Sequence, residues 1–139
     1  MKTILIVDDD PKLLSCLENL MVRSGYSVIP ASNASSALAV IRSRPAVDLI
    51  ITDYQMPGMN GLELVAMLKQ IIPSVPVIMF SGFTEVDVYL KAQALGVAEY
   101  VEKPASPHVL KRVVEQVLKL SPQAEAGSQE KLSGFATTS

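Results

Sequence analysis

The chain predicts an α/β protein: a doubly wound, five-stranded parallel sheet with helices on both faces. Three observations carry this. Short runs of branched apolar residues alternate five times with longer segments of helical periodicity, and such alternation in one short domain implies parallel strands joined by crossover helices. The first run, "TILIV" at residues 3–7, has no polar alternation, as expected of a strand buried on both faces. Chemically active side chains also collect directly after the strand-like runs, at the carboxyl edge where sheets of this kind bind ligands.

Each element follows in order. After "TILIV" the pattern changes at Pro11, and Leu13, Leu14, Leu17, Leu20 and Met21 fall at helical spacing before Gly25 stops the run. "YSVIPA" is a short second strand. "NASSALAVIRSR" reads as a helix, capped by Asn33 or a nearby serine and ended by Pro45. "VDLIITD" is a third strand and "PSVPVIMFS" contains a fourth, with the helix "GLELVAMLKQI" between them. "TEVDVYLKAQALG" is a helix closed by Gly96, and "AEYVEK" is a fifth, short strand. Residues 106–120 form a last helix with Val109, Leu110, Val113, Val114, Val117 and Leu118 on its apolar side. After Leu120 the composition turns small and polar. Residues 121–139 have only Leu132 and Phe135 as sizeable apolar side chains and read as a tail or linker, too short for a second folded domain.

Composition narrows the function. At 139 residues and 49% apolar the chain fits one domain with a real core. Twelve basic and fourteen acidic side chains give a net charge of −2 with no basic tract, so there is no electrostatic footprint for nucleic acid. No stretch is long enough to span a bilayer, and "ILIV" is too short for a signal-peptide core and runs into acid. A lone cysteine, Cys16, rules out an internal disulfide and sits among apolar residues, where a small buried side chain is expected. The chain reads as cytoplasmic, in a reducing compartment.

Three consecutive aspartates, Asp8, Asp9 and Asp10, end the first strand; Asp53 ends the third, Ser81 the fourth, and Lys103 follows the fifth. One helix cap needs one aspartate, and like charges side by side raise the cost of ionisation unless a cation offsets them. Asp8, Asp9 and Asp53 meeting at adjacent strand ends could hold a hard divalent cation such as Mg²⁺. Lys103 and Ser81 could contact two oxygens of a phosphoryl group, one by charge and one by hydrogen bond. A nucleophilic carboxylate, a metal, a cation and a hydroxyl donor are the parts that phosphoryl transfer requires. In the loop after Asp53, Gly58 and Gly61 permit the tight turn from strand to helix.

The stretches "ILIVDDD", "DLIITDYQMPGMNGLEL", "PVIMFSGF" and "YVEKP" stand in this order and at ordinary spacing. Over residues 3 to about 120 the sequence resembles a receiver domain of bacterial two-component response regulators. The resemblance implies strand order 2-1-3-4-5, the flavodoxin-like order that chemotaxis receivers share, and a domain at 1–120 followed by the tail at 121–139. It implies that Asp53 is the phosphoacceptor, that Asp9, Asp53 and the backbone carbonyl of Gln55 bind Mg²⁺ directly, and that Asp8 acts through water. Lys103 and Ser81 would contact the phosphoryl group, Pro104 would follow the lysine through a cis bond, and Asp10 would cap the first helix. Ser81 and Tyr100 would form the switch, Tyr100 turning inward when Ser81 moves to the phosphoryl group. Gln55 and Phe83, each two positions beyond a site residue, would flank the path of an attacking water.

The function implied is a phosphorylation-dependent signalling switch rather than a turnover enzyme. A histidine kinase or a histidine phosphotransfer protein would supply the phosphoryl group, and a downstream protein would bind the face built from residues 84–120. The chain would be a monomer or a phosphorylation-promoted dimer, either a stand-alone receiver or the amino-terminal piece of a longer regulator. One enzyme reading competes. "ILIVDDDPK" also holds the apolar run and D-x-D of haloacid dehalogenase-like phosphatases, with Asp8 as nucleophile and Asp10 as general acid. It leaves Asp53 without a role, and no acidic pair follows Lys103. A nucleotide- or flavin-binding module fails on charge, because three aspartates after the first strand repel phosphate where a donor-rich loop is needed. The single histidine, His108, reads as a solvated residue at the start of the last helix.

Overall fold

The computed structural model describes residues 1–43, 46–82 and 85–120. Pro45, Phe83, Thr84 and the polar tail at 121–139 lie outside the described residues. The elements alternate as β1 (Thr3–Val7), α1 (Pro11–Arg23), β2 (Ser27–Ala31), α2 (Ala34–Ser43), β3 (Leu49–Thr52), α3 (Gly61–Ile71), β4 (Val77–Ser81), α4 (Val86–Ala94), β5 (Glu99–Glu102) and α5 (Pro107–Leu120). All five strands are parallel, in the order β2-β1-β3-β4-β5.

The unbroken apolar runs are explained by two cores, one on each face. Side chains alternate along a strand, so Leu5 and Val7 of β1 face one core while Ile4 and Ile6 face the other. The first core also takes Ile50, Val77 and Met79 and is covered by α2, α3 and α4. The second takes Leu49, Ile51, Ile78 and Phe80 and is covered by α1 and α5. A strand with both faces covered has no position for a polar residue. Accordingly, the interiors of β1, β3 and β4 are apolar, and polar residues stand only at strand ends. β2 lies at the sheet edge, and there Pro30, which has no N–H to give a ladder, is tolerated.

Helix starts are set by side-chain caps. Asp10 accepts from the N–H groups of Lys12 (3.0 Å) and Leu13 (3.4 Å). The Asn33 side-chain oxygen Oδ1 accepts from Ser36 N–H at 2.7 Å, and Asn60 and Glu63 form a reciprocal capping box on α3, each bond 2.9 Å. The third strand begins later than its apolar reading, at Leu49, and the preceding Asp48 turns its carboxylate to Thr3 N–H at 2.8 Å.

Two expected core positions are exposed. Cys16 lies on the surface, since α1 buries a stripe centred on Leu17 and Met21. Position 16 precedes Leu17 by one residue, which turns it about 100° around the helix, to the flank. Val109 is exposed too, at the open start of α5, while Leu110, Val114, Val117 and Leu118 carry the packing.

Candidate functional site

The sheet order brings the carboxyl ends of β1, β3, β4 and β5 side by side, so residues far apart in sequence share one edge. Asp53 extends β3 by one step, its N–H donating to Val7 O at 3.0 Å. Lys103 N–H donates to Ser81 O at 2.9 Å, which fixes the start of the β5–α5 loop beside the end of β4. The Lys103–Pro104 peptide bond is cis, as expected.

Asp8, Asp9 and Asp53 each place a carboxylate oxygen so that all lie within 4.8 Å of one another. Asp8 is 2% exposed and Asp53 8%, whereas Asp9 faces solvent. Lys103 reaches into the cluster: its Nζ stands 3.0 Å from Asp8 Oδ2 and 3.3 Å from Asp53 Oδ2. The same ammonium lies 5.5 Å from the centre of the Phe80 ring, in a cation–π contact. Backbone donors take the other oxygens. Asp10 N–H donates to Asp8 Oδ1 at 2.9 Å and Tyr54 N–H to Asp53 Oδ1 at 2.7 Å.

One ammonium among three carboxylates leaves the site electronegative. Burial pushes the Asp8 carboxyl above the usual carboxylate range and the Asp53 charge adds to this, against the Asp10 backbone bond and Lys103, which pull it down. A hard divalent cation fits this donor set. Three carboxylates converge on one point, two of them already shielded from water, and Mg²⁺ completes such a shell with water and phosphate oxygens. Gln55 lines the mouth of the site together with Asp9, Tyr54 and Pro57. Phe83, the other residue expected to flank an attacking water, lies outside the described residues.

Asp10 does not join the cluster. Its carboxylate is occupied as the cap of α1 and is exposed, so the phosphatase reading loses its general acid while Asp53, which that reading left idle, stands at the centre. Ser81 is buried at the end of β4. Tyr100 is 3% exposed. Burial pushes its hydroxyl above the ordinary tyrosine range, with neighbouring Glu102, Asp53 and Tyr54 adding to the shift and a hydrogen bond with Ser81 opposing it. The inward placement expected of Tyr100 is therefore already complete here, because its ring continues the core face that Met79 and Val88 share. Two supports are not evident in the sequence pattern. Thr52, fully buried, donates its hydroxyl to Asp53 O at 2.9 Å. Gly61 is packed against the Asp53 and Tyr54 backbone, with Gly61 N–H donating to Tyr54 O at 2.7 Å. A threonine directly before the strand-end aspartate is the one signal that points to the first.

Comparison with known proteins agrees with this geometry. The family model described as response regulator receiver domain matches residues 4–115. Among curated proteins, the transcriptional regulatory protein GlrR of Escherichia coli (strain K12) is 33% identical over 121 residues, 87% of this chain and 27% of that protein; the chain thus spans about a quarter of the relative's length. Among solved structures, a CheY-like receiver domain protein from Methanospirillum hungatei JF-1 superposes with a TM-score of 0.86 at 28% identity, covering 90% of this chain and 99% of that one. The response regulator TrrA from Thermotoga maritima, solved in complex with Mg²⁺ and BeF, gives 0.77 at 31% identity, covering 84% and 99%.

Proposed function

The chain belongs to the response regulator receiver family, and from that membership we propose that Asp53 carries the phosphoryl group, with Asp8, Asp9 and the Gln55 backbone carbonyl completing its Mg²⁺ site. A receiver domain is a phosphorylation-dependent switch that uses Mg²⁺, and its only chemistry is the gain and loss of its own phosphoryl group. The observation that carries the residue assignment is the convergence of Asp53 with Asp8, Asp9 and Lys103.

The step is a displacement at phosphorus. An Asp53 carboxylate oxygen attacks, the new O–P bond forms as the donor's P–N bond breaks, and the electron pair stays on the imidazole nitrogen, which takes up a proton. Bound Mg²⁺ supplies charge neutralisation for the phosphoryl oxygens. Tyr54 N–H, on Asp53 Oδ1, orients the carboxylate. Lys103, now bridging Asp8 and Asp53, can turn its ammonium to one phosphoryl oxygen, and the Ser81 hydroxyl can donate to another. Hydrolysis reverses the modification: water attacks phosphorus past Gln55, inorganic phosphate leaves and the Asp53 carboxylate is restored.

The donor is a histidine kinase or a histidine phosphotransfer protein, since no histidine stands at the site and His108 is exposed at the start of α5. The read-out is a downstream protein bound on the described part of the 84–120 face, whose shape follows Ser81 and Tyr100. No helix among the described residues is long and apolar enough to cross a membrane. The domain at 1–120 works in the cytoplasm, as a monomer or as a dimer promoted by phosphorylation, with residues 121–139 as a polar tail or linker. The test is labelling by acetyl phosphate: Mg²⁺-dependent incorporation of one phosphoryl group in the parent and none in Asp53→Asn. Incorporation that persists in Asp53→Asn refutes the assignment.

A further inference from the structure

Helix α4 is less firmly anchored than α3 on the same face. It buries only Val88 and Ala92 among its nine residues, and Glu85 at its N-cap makes no side-chain capping bond, whereas α3 buries four residues behind a full capping box. Elements with few buried contacts and unsatisfied ends are those that shift at low cost. Val86 and Leu90, one turn apart on α4, are 69% and 51% exposed, so a shift of this helix alters an apolar surface directly.

A ring contact links α4 to the phosphorylation site. The Tyr89 ring meets the Tyr100 ring edge-on, centroids 5.7 Å apart and planes at 64°, the geometry in which aromatic pairs attract. Tyr100 in turn is hydrogen-bonded to Ser81, the residue assigned above to contact the phosphoryl group. The relay is therefore three residues from three elements: the end of β4, the middle of β5 and the first turn of α4. Tyr89 is half-buried, and its outer side lines a groove of about 650 Å³ with Lys103, Val109 and Arg112.

We propose that Tyr89 is the positioning residue that couples phosphorylation at Asp53 to α4, through its edge-on ring contact with Tyr100. Tyr100 keeps its inward place in this scheme. Any displacement of Ser81 moves the Tyr100 ring within the core, the Tyr89 ring follows, and α4, which buries only Val88 and Ala92, moves with it. The groove and the Val86–Leu90 surface change together, which is the form in which a protein partner reads the switch.

The inference rests on the phosphoacceptor reading, and the experiment separates the two. Backbone amide shifts are recorded by NMR on adding Mg²⁺ and beryllium fluoride to the parent, Tyr89→Phe, Tyr89→Leu and, as a control on α4, Leu90→Ala. In the parent, Tyr89→Phe and Leu90→Ala, shifts should run from Asp53 and Ser81 through Tyr100 into residues 86–94. In Tyr89→Leu, which keeps apolar bulk but removes the ring, the shifts at Asp53 and Ser81 should remain. Those in 86–94 should shrink, because the equilibrium that couples α4 to the site loses the roughly two- to tenfold factor that one aromatic pair corresponds to. Full transmission in Tyr89→Leu, or loss of transmission in Tyr89→Phe, overturns the role of the ring. No shift at Asp53 and Ser81 in the parent would instead refute the phosphoacceptor reading itself.

Discussion

Gly61→Ala should damage the site from behind. A Cβ at this position would run into the Asp53 carbonyl oxygen and would stand 2.9 Å from Tyr54 Cα and 3.0 Å from the Asp53 carbonyl carbon. Carbon atoms pack at about 3.5–4.0 Å, so Tyr54 Cα would have to retreat by roughly 0.6–1.1 Å. The obstacle is backbone, not the end of a flexible side chain. It cannot yield freely, since Gly61 N–H is bonded to Tyr54 O, Asp53 N–H to Val7 O, and Thr52 Oγ1 to Asp53 O. Overpacking of this kind costs about 1–3 kcal/mol, and the better helix propensity of alanine returns at most about 1 kcal/mol. The group displaced is the phosphoacceptor itself, and a misplacement near 1 Å can slow a reaction on the order of a hundredfold. Urea unfolding by circular dichroism and the rate of Mg²⁺-dependent labelling by acetyl phosphate read the two effects. Gly58→Ala is the control. Its φ of +80° carries a left-handed penalty of about 1 kcal/mol, but no atom lies within 4 Å of the new Cβ, so labelling should stay near the parent's rate. Parent-like stability and labelling in Gly61→Ala would refute the steric reasoning.

Three further outcomes are expected. The folded-state pKa of Asp8 is raised above its ordinary 3.8, so the folded chain holds this proton more tightly than the unfolded one and stability falls as pH rises through that window. Asp8→Asn should therefore be more stable than the parent at neutral pH without added metal, with a flatter pH dependence just above 3.8, and should bind Mg²⁺ more weakly; thermal melts and Mg²⁺ titration would contradict this if Asp8→Asn were the less stable chain. Asp10→Ala should lose about 1 kcal/mol through the missing cap yet bind Mg²⁺ like the parent, and a large loss of metal affinity would return Asp10 to the site. Met21→Ala, at a position with no exposed surface, should cost about 2–5 kcal/mol in urea unfolding while leaving Asp53 labelling intact at temperatures where the chain is folded.

Much of this was legible in the sequence, for physical reasons that can be traced residue by residue. Strands buried on both faces must be apolar through their interiors, so "TILIV" and "VIMFS" declared themselves, and parallel connections forced Asp8, Asp53, Ser81 and Lys103 to one edge. The role of Asp10 followed from position alone, because the residue before a helix start is where an oxygen meets free N–H groups. What stayed hidden depended on the angle of a side chain or the approach of distant backbone. Cys16 shares its helix with Leu17 and Met21 but points about 100° away from Leu17, a difference that an apolar neighbourhood in sequence does not record. Gly61 looked like a turn residue; the structure needs it for closeness to Asp53, while Gly58 supplies the positive φ. The inward place of Tyr100 is set by a ring from α4 and a hydroxyl from β4, and neither is near it in the chain.

The central claim is that Asp53, among the four aspartates at this edge, forms the covalent bond to phosphorus. Borohydride reduces an aspartyl phosphate to homoserine, and peptide mass spectrometry then locates the residue that carried the phosphoryl group. After reaction with acetyl phosphate and Mg²⁺, homoserine should appear at position 53 alone and should be absent when Mg²⁺ is chelated. Homoserine at position 8, or at no aspartate of the chain, would contradict the account.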